Sequence, residues 1–151
     1  MTTYVLVHGA WHGGWCWKKT APLLRAAGAD VFTPTLTGLG ERAHLNDHIS
    51  PSEITVDVHI QDIVQLMRYE DLEDVVLVGH AYAGMVITGV AEACPERIAH
   101  MVYVNGVIPA NGESMVDQLI PVRGEEFARW VRNEIKNGDG FLPAPASVEE
   151  V

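Results

Sequence analysis

Four short apolar runs punctuate the chain, and helical patterns lie between them. Thr3 to Val7 reads Thr-Tyr-Val-Leu-Val and stops at His8-Gly9. A run so short, β-branched and free of charge predicts a strand buried on both faces. Ala29 to Thr33, Asp74 to Val78 and Ile98 to Val104 predict three more, the first of these ended by Pro34 and the second by Gly79. Trp15 to Ala27 has helical character and closes at Gly28, a good residue for the position after a helix. Pro22 inside it separates or kinks the first turn. Val56, Ile60, Ile63, Val64 and Met67 recur at helical spacing between Thr55 and Tyr69, with Thr55 placed to cap the N-terminus. Tyr82 to Cys94 predicts a third helix, ended before Pro95.

This alternation specifies an α/β fold, a mostly parallel sheet of about four strands with flanking helices. Sheets of this kind bind ligands at the carboxyl ends of their strands. The irregular, glycine-containing segments fall there: His8 to Gly14, Thr35 to Arg42, Gly79 to Gly84 and Asn105 to Pro109. Thr35 to Pro51 is a long loop, which in a compact domain is functional or covered by another element. After Pro109 the character changes. Gly112 to Leu119 and Gly124 to Lys136 predict short amphipathic helices, Asn137-Gly138-Asp139-Gly140 a stop, and Pro143 to Val151 a loose tail. The expected organisation is a core portion over 1–109 and a separate helical segment with its tail over 110–151.

Composition narrows the partners. The chain has 151 residues, 48% hydrophobic and 20% charged, which fits one globular domain. Ten Lys+Arg against 20 Asp+Glu leave a net charge of -10. So acidic a surface repels phosphate backbones and anionic membranes, so neither nucleic acid nor a membrane is expected as a partner. No apolar run approaches the ~20 residues of a membrane span. Met1-Thr2-Thr3 leads directly into a strand without a basic leader, so a cytoplasmic protein is expected. Cys16 and Cys94 read as free thiols and match no zinc spacing.

The sharpest local signal is Gly79-His80-Ala81-Tyr82-Ala83-Gly84 between a strand and a helix. Its layout is that of the G-x-S-x-G elbow, in which a tight turn demands small residues on both sides of a nucleophile. Gly79 and Ala83 take the small positions, and Ala81 stands where the nucleophile would be. A methyl group cannot form an acyl-enzyme.

With the elbow and the opening Val5-Leu6-Val7-His8-Gly9-Ala10-Trp11-His12-Gly13-Gly14-Trp15-Cys16-Trp17, and with Thr37-Gly38-Leu39-Gly40-Glu41-Arg42 between them, the chain resembles the N-terminal half of α/β-hydrolase-fold enzymes. The similarity points to the branch of plant methylesterases, hydroxynitrile lyases and bacterial pyrethroid and carbamate hydrolases, and runs from about Thr3 to Leu119. The resemblance puts Ala81 at the serine position. Three readings of it stand: an engineered Ser→Ala, which is favoured; a natural pseudoenzyme; and a coincidental turn. It implies an oxyanion hole from the backbone N–H groups of Tyr82 and Ala10, with Trp11 as the neighbouring candidate. It implies a substrate pocket touched by Trp11, His12 and Asn105, the last a turn-forming residue on the plainer reading.

The triad of this fold runs Ser, acid, His along the chain, and after Ala81 the only histidine is His100. His100 precedes Asn105 by about 16 Å of strand, so it faces the wrong end of the sheet. In the resembling family His8 and His12 shape the loop and pocket and are not the general base. His80 is expected to pack into the sheet. His44 and His48 lack a metal-binding helix pattern, and His59 stands alone; no metal and no cofactor is expected. Trp15 and Trp17 are expected in the core. Glu41 and Arg42 are expected to pin their loop by a local salt bridge and not to clamp a substrate carboxylate.

The family's histidine and acid would fall beyond Val151, and the fourth strand would be left as an open edge. The expected partners are therefore the C-terminal half of the same hydrolase and a small apolar ester, carbamate or amide. The alternatives are a non-catalytic ligand-binding receptor or pseudoenzyme, and a hydroxynitrile-lyase-type enzyme.

Overall fold

A computed structural model describes residues 1–137. The predicted stop at Gly138-Asp139-Gly140 and the tail from Pro143 lie outside the described residues. Four strands, β1 (Thr3–Val7), β2 (Asp30–Phe32), β3 (Val75–His80) and β4 (Ile98–Val104), form one sheet in the order β2-β1-β3-β4. Every pairing is parallel, with Val5 opposite both Phe32 and Leu77, and His80 opposite Val104. Four helices accompany it: α1 (Ala21–Ala26), α2 (Val56–Tyr69), α3 (Ala83–Ala93) and α4 (Met115–Asn137). Among the described residues, no helix is long and apolar enough to cross a membrane.

Period-2 alternation along the strands sorts their side chains onto two faces. Val5, Val7, Val75 and Leu77 pack with Ile63, Val64 and Met67 of α2 and with Val86, Ile87 and Val90 of α3, forming the main core. On the opposite face Leu6, Val31 and Val78 meet Ala21, Trp17 and Leu24 in a smaller cluster. β4 divides unevenly. Met101 and Tyr103 join the main core, while Val102 and Val104 on the other face are 41% and 42% exposed. β4 is also an edge of the sheet, as expected for the fourth strand.

The differences from the sequence reading have local causes. β3 does not stop at Gly79 but runs through His80. Gly79 is there for close approach: a Cβ on it would lie 2.9 Å from the Ala83 carbonyl oxygen and from Ile87 Cδ1. The first helix divides at its proline. Gly14–Trp17 forms a 3-10 turn, and α1 starts later, with Pro22 in its first turn, where no N–H is needed. Gly28 closes it with φ 87°. Thr55 is the N-cap of α2 by position, but its hydroxyl makes no capping bond. The long loop is partly wound into 3-10 turns at Gly40–Asp47 and Pro51–Glu53. The two predicted C-terminal helices form α4, broken at Gly124, whose φ of 80° and ψ of 167° suit glycine alone.

The unequal covering of the sheet sets unequal costs of truncation. Ile87→Ala removes a fully buried side chain from the main core and is expected to destabilise by about 2–5 kcal/mol. Val102→Ala in the 151-residue chain is expected to stay within about 1 kcal/mol. Urea unfolding midpoints of the two variants check the contrast.

Candidate functional site

The chain reverses sharply between β3 and α3. Ala81 sits in the turn at φ 50°, a left-handed conformation that costs an L-residue about 1–2 kcal/mol. Surrounding contacts over-determine it. The Ala81 N–H donates to the Val104 carbonyl at 3.2 Å, and the Ala81 carbonyl accepts from Gly84 and Val107, each at 3.0 Å. Two glycines admit these approaches. A Cβ on Gly84 would lie 2.1 Å from the Val107 carbonyl oxygen, and one on Gly9 would lie 3.1 Å from the Ala81 methyl. The end of β1 therefore lies directly against the turn that ends β3.

An apolar cleft of about 190 Å³ opens beside this turn. Ala10, Trp11 and Tyr82 line it, together with Leu39, Ile54 and His59, and with Met115 and Ile135 of α4. Sequence-predicted residues thus separate. Ala10, Trp11 and Tyr82 come together at the cleft, and Trp11 is 39% exposed in a left-handed conformation, φ 59°. Ala81 lies against Gly9 at the turn itself. His12 and Asn105 are not among the lining residues. The His12 ring donates from Nδ1 to the Ala10 carbonyl at 2.7 Å and stacks on Trp15. Asn105 is exposed at φ 46°, the geometry of a turn residue. Among the described residues, the Ala10 and Tyr82 N–H groups donate to no acceptor. A larger, shallow depression of about 570 Å³ lies over α2, between Arg42 and Gln65, away from the turn.

Hydrogen bonds fasten the loop after β2 to the rest of the site. The Leu36 N–H donates to His8 Nε2 at 3.0 Å, so the His8 proton is on Nδ1, donated to the Gly9 carbonyl at 2.8 Å. Asp62 on α2 accepts from the Thr37 N–H at 2.6 Å and from its hydroxyl at 2.8 Å. Glu41 and Arg42 do pin the loop, but not as a pair. Glu41 accepts from the Thr35 hydroxyl at 2.6 Å, which holds its carboxyl below the usual range, and Arg42 meets Asp62 at 3.4 Å.

His59 is the residue that sequence reasoning passed over. It is buried, with Nε2 2.9 Å from the Thr37 carbonyl and Nδ1 2.9 Å from the Tyr82 hydroxyl. Burial lowers its pKa, outweighing the Thr37 bond, which raises it. Burial likewise lowers His8 and His80 and pushes the Tyr82 hydroxyl up. Of the two tryptophans expected in the core, Trp17 packs against the smaller cluster, but Trp15 is 54% exposed, because its 3-10 turn presents it outward to His12. His80 meets His12 edge to face at 6.0 Å, and His100 is exposed opposite Val76, towards the far end of the sheet.

A parallel sheet with a strained strand-to-helix turn and an apolar cleft beside it defines an α/β fold, in which ligands bind at the carboxyl ends of the strands. The profile described as "Alpha/beta hydrolase family" matches residues 4–150, and the chain belongs to that family. It is 50% identical over 119 residues, 79% of its length, to the carbendazim hydrolyzing esterase of Nocardioides sp. (strain SG-4G), covering 48% of that protein. It is 37% identical over 117 residues to putative methylesterase 13, chloroplastic, of Arabidopsis thaliana, covering 76% of this chain and 25% of that one. Among solved structures, an extracellular α/β-hydrolase from a Paenibacillus species matches with a TM-score of 0.81 and 28% identity, over 96% of this chain and 56% of that one. The chain spans about half the length of the first relative and a quarter of the second.

The buried imidazoles predict an acid-sensitive fold. A histidine that is neutral when folded binds a proton when unfolded, once pH drops below its ordinary value of 6.5. Its stabilisation is complete above that pH and is lost as pH falls towards the lowered native value. Urea midpoints are expected to fall between about pH 7 and pH 5.5, before most carboxylates titrate. His59→Gln is expected to shrink that fall.

Proposed function

We propose that this chain supplies the nucleophile turn and oxyanion hole of an esterase-type serine hydrolase acting on a small apolar ester, carbamate or amide. The observation that carries the reading is Ala81, held at φ 50° between β3 and α3 beside two N–H groups, of Ala10 and Tyr82, that have no acceptor among the described residues. A serine hydroxyl at 81 would attack the carbonyl, and the two N–H groups would receive the developing oxyanion. His12, by holding the Ala10 carbonyl, steadies the peptide leading into Trp11. Asn105 borders the turn from the end of β4. On this reading α4, which brings Met115 and Ile135 to the cleft, is the start of a cap that follows the core portion over 1–109. The open edge of β4 and the bare Val102 and Val104 receive the C-terminal half of the same hydrolase, which also supplies the histidine and acid of the triad. The similarity to an esterase over about half that protein's length supports this assignment.

With alanine at 81 the turn carries no nucleophile, and on this reading the alanine is an engineered Ser→Ala replacement. Loss of such a serine typically lowers turnover ~10⁶-fold. Ala81→Ser in the full-length protein is expected to raise hydrolysis of aryl esters and carbamates by that order, and a folded serine variant inert across the panel would overturn the reading.

The methyl group itself favours a second reading, a non-catalytic receptor that binds a small apolar ligand in the same cleft. Sequencing the natural source across position 81 separates the two: serine supports the hydrolase, and alanine in a protein that binds ligand without turnover supports the receptor.

A further inference from the structure

The polar part of the cleft wall has its hydrogens already assigned. His59 Nε2 faces the Thr37 carbonyl at 2.9 Å, and a carbonyl only accepts, so that nitrogen carries the proton. Burial keeps the ring neutral. Nδ1 is then a bare lone pair, and the Tyr82 hydroxyl 2.9 Å away must donate to it. The Tyr82 proton is thereby spent, and the lone pairs of its oxygen accept from no group among the described residues. Nor does Thr37 leave a hydroxyl proton for a ligand, since it donates to Asp62. Asn46 donates an amide N–H to the Gly38 carbonyl at 3.0 Å.

We infer that the Tyr82 oxygen, fixed as an acceptor by His59, is a specificity determinant that selects ligands carrying an N–H, carbamates and amides, over the corresponding carbonates and esters. An N–H meets the oxygen with a donor. The isosteric ester oxygen brings a second set of lone pairs against it, and the acceptor cannot turn into a donor without breaking the bond to Nδ1. A site built around one fixed hydrogen-bonding group discriminates between isosteres better than an apolar pocket discriminates by size. His59 acts through Tyr82 and is a positioning residue. The inference rests on this cleft being the substrate site, but it concerns binding and needs no turnover.

The experiment measures binding of N-aryl methyl carbamates, and of the aryl methyl carbonates in which oxygen replaces N–H, to the full-length protein with Ala81 in place. No serine stands at 81 to consume either probe. The carbamates are expected to bind about 5- to 10-fold tighter, the span of one hydrogen bond. Tyr82→Phe is expected to bring the two affinities together by weakening the carbamates, with the carbonates little changed. Nitrogen-15 NMR of His59 supplies an arm that requires no variant to fold, and the Nε2–H tautomer is expected. Equal affinities in the parent protein, absence of carbamate binding, a preference that survives Tyr82→Phe, or an Nδ1–H tautomer at His59 each overturn the inference. These outcomes are independent of whether Ala81→Ser restores hydrolysis, so failure here and failure of the hydrolase reading are told apart.

Discussion

The structure depends on one tight reversal, the turn at Ala81. Its left-handed backbone is unfavourable for alanine on its own and persists because three strand ends converge there. β4 supplies the carbonyl that receives the Ala81 N–H, and the segment after β4 returns the Val107 N–H to the Ala81 carbonyl. β1 presses Gly9 against the methyl group. Gly79 lets α3 fold back onto β3 without a Cβ in the way, and Gly84 admits the Val107 backbone. Remove any of these and the turn loses what opposes its strain. The same convergence brings Ala10 and Tyr82 to the lining of one cleft.

A second set of constraints keeps the cleft wall in register with the turn. His8 binds the loop after β2 to the end of β1, and Asp62 binds Thr37 to α2. His59 binds the Thr37 carbonyl on one side and Tyr82 on the other. Tyr82 opens α3, so the wall, the loop and the turn share one hydrogen-bonded frame. Both imidazoles in that frame are neutral because burial makes their charged forms costly.

Much of this was legible in the sequence, and the division is physical. The strands were readable because a buried parallel strand needs only a local apolar run, as in Thr3 to Val7. The turn was readable because Gly79, Ala83 and Gly84 are sequence neighbours, small where the backbone is approached closely. His59 was not readable. Its partners Tyr82 and Thr37 lie 23 and 22 positions away, and only the packing of α2 beside α3 brings them together. The pairing of Arg42 with Asp62, not Glu41, was hidden for the same reason. Trp15 misled because hydrophobicity alone speaks for burial, while its 3-10 turn aims the ring outward.

The break in α4 gives the cleft a mechanical asymmetry. One wall is riveted to the sheet through His59, Thr37 and Asp62. The other is borne by Met115, before Gly124, and Ile135, after it. A Cβ on Gly124 would meet nothing within 4 Å, and across the break Arg132 of the second half meets Asp117 of the first at 3.5 Å. The two walls are therefore fastened differently, one to the sheet by hydrogen bonds and the other within a helix that is broken at a glycine. Under the proposed function, chemical choice belongs to the side chains fastened to the sheet and steric choice to those that α4 carries.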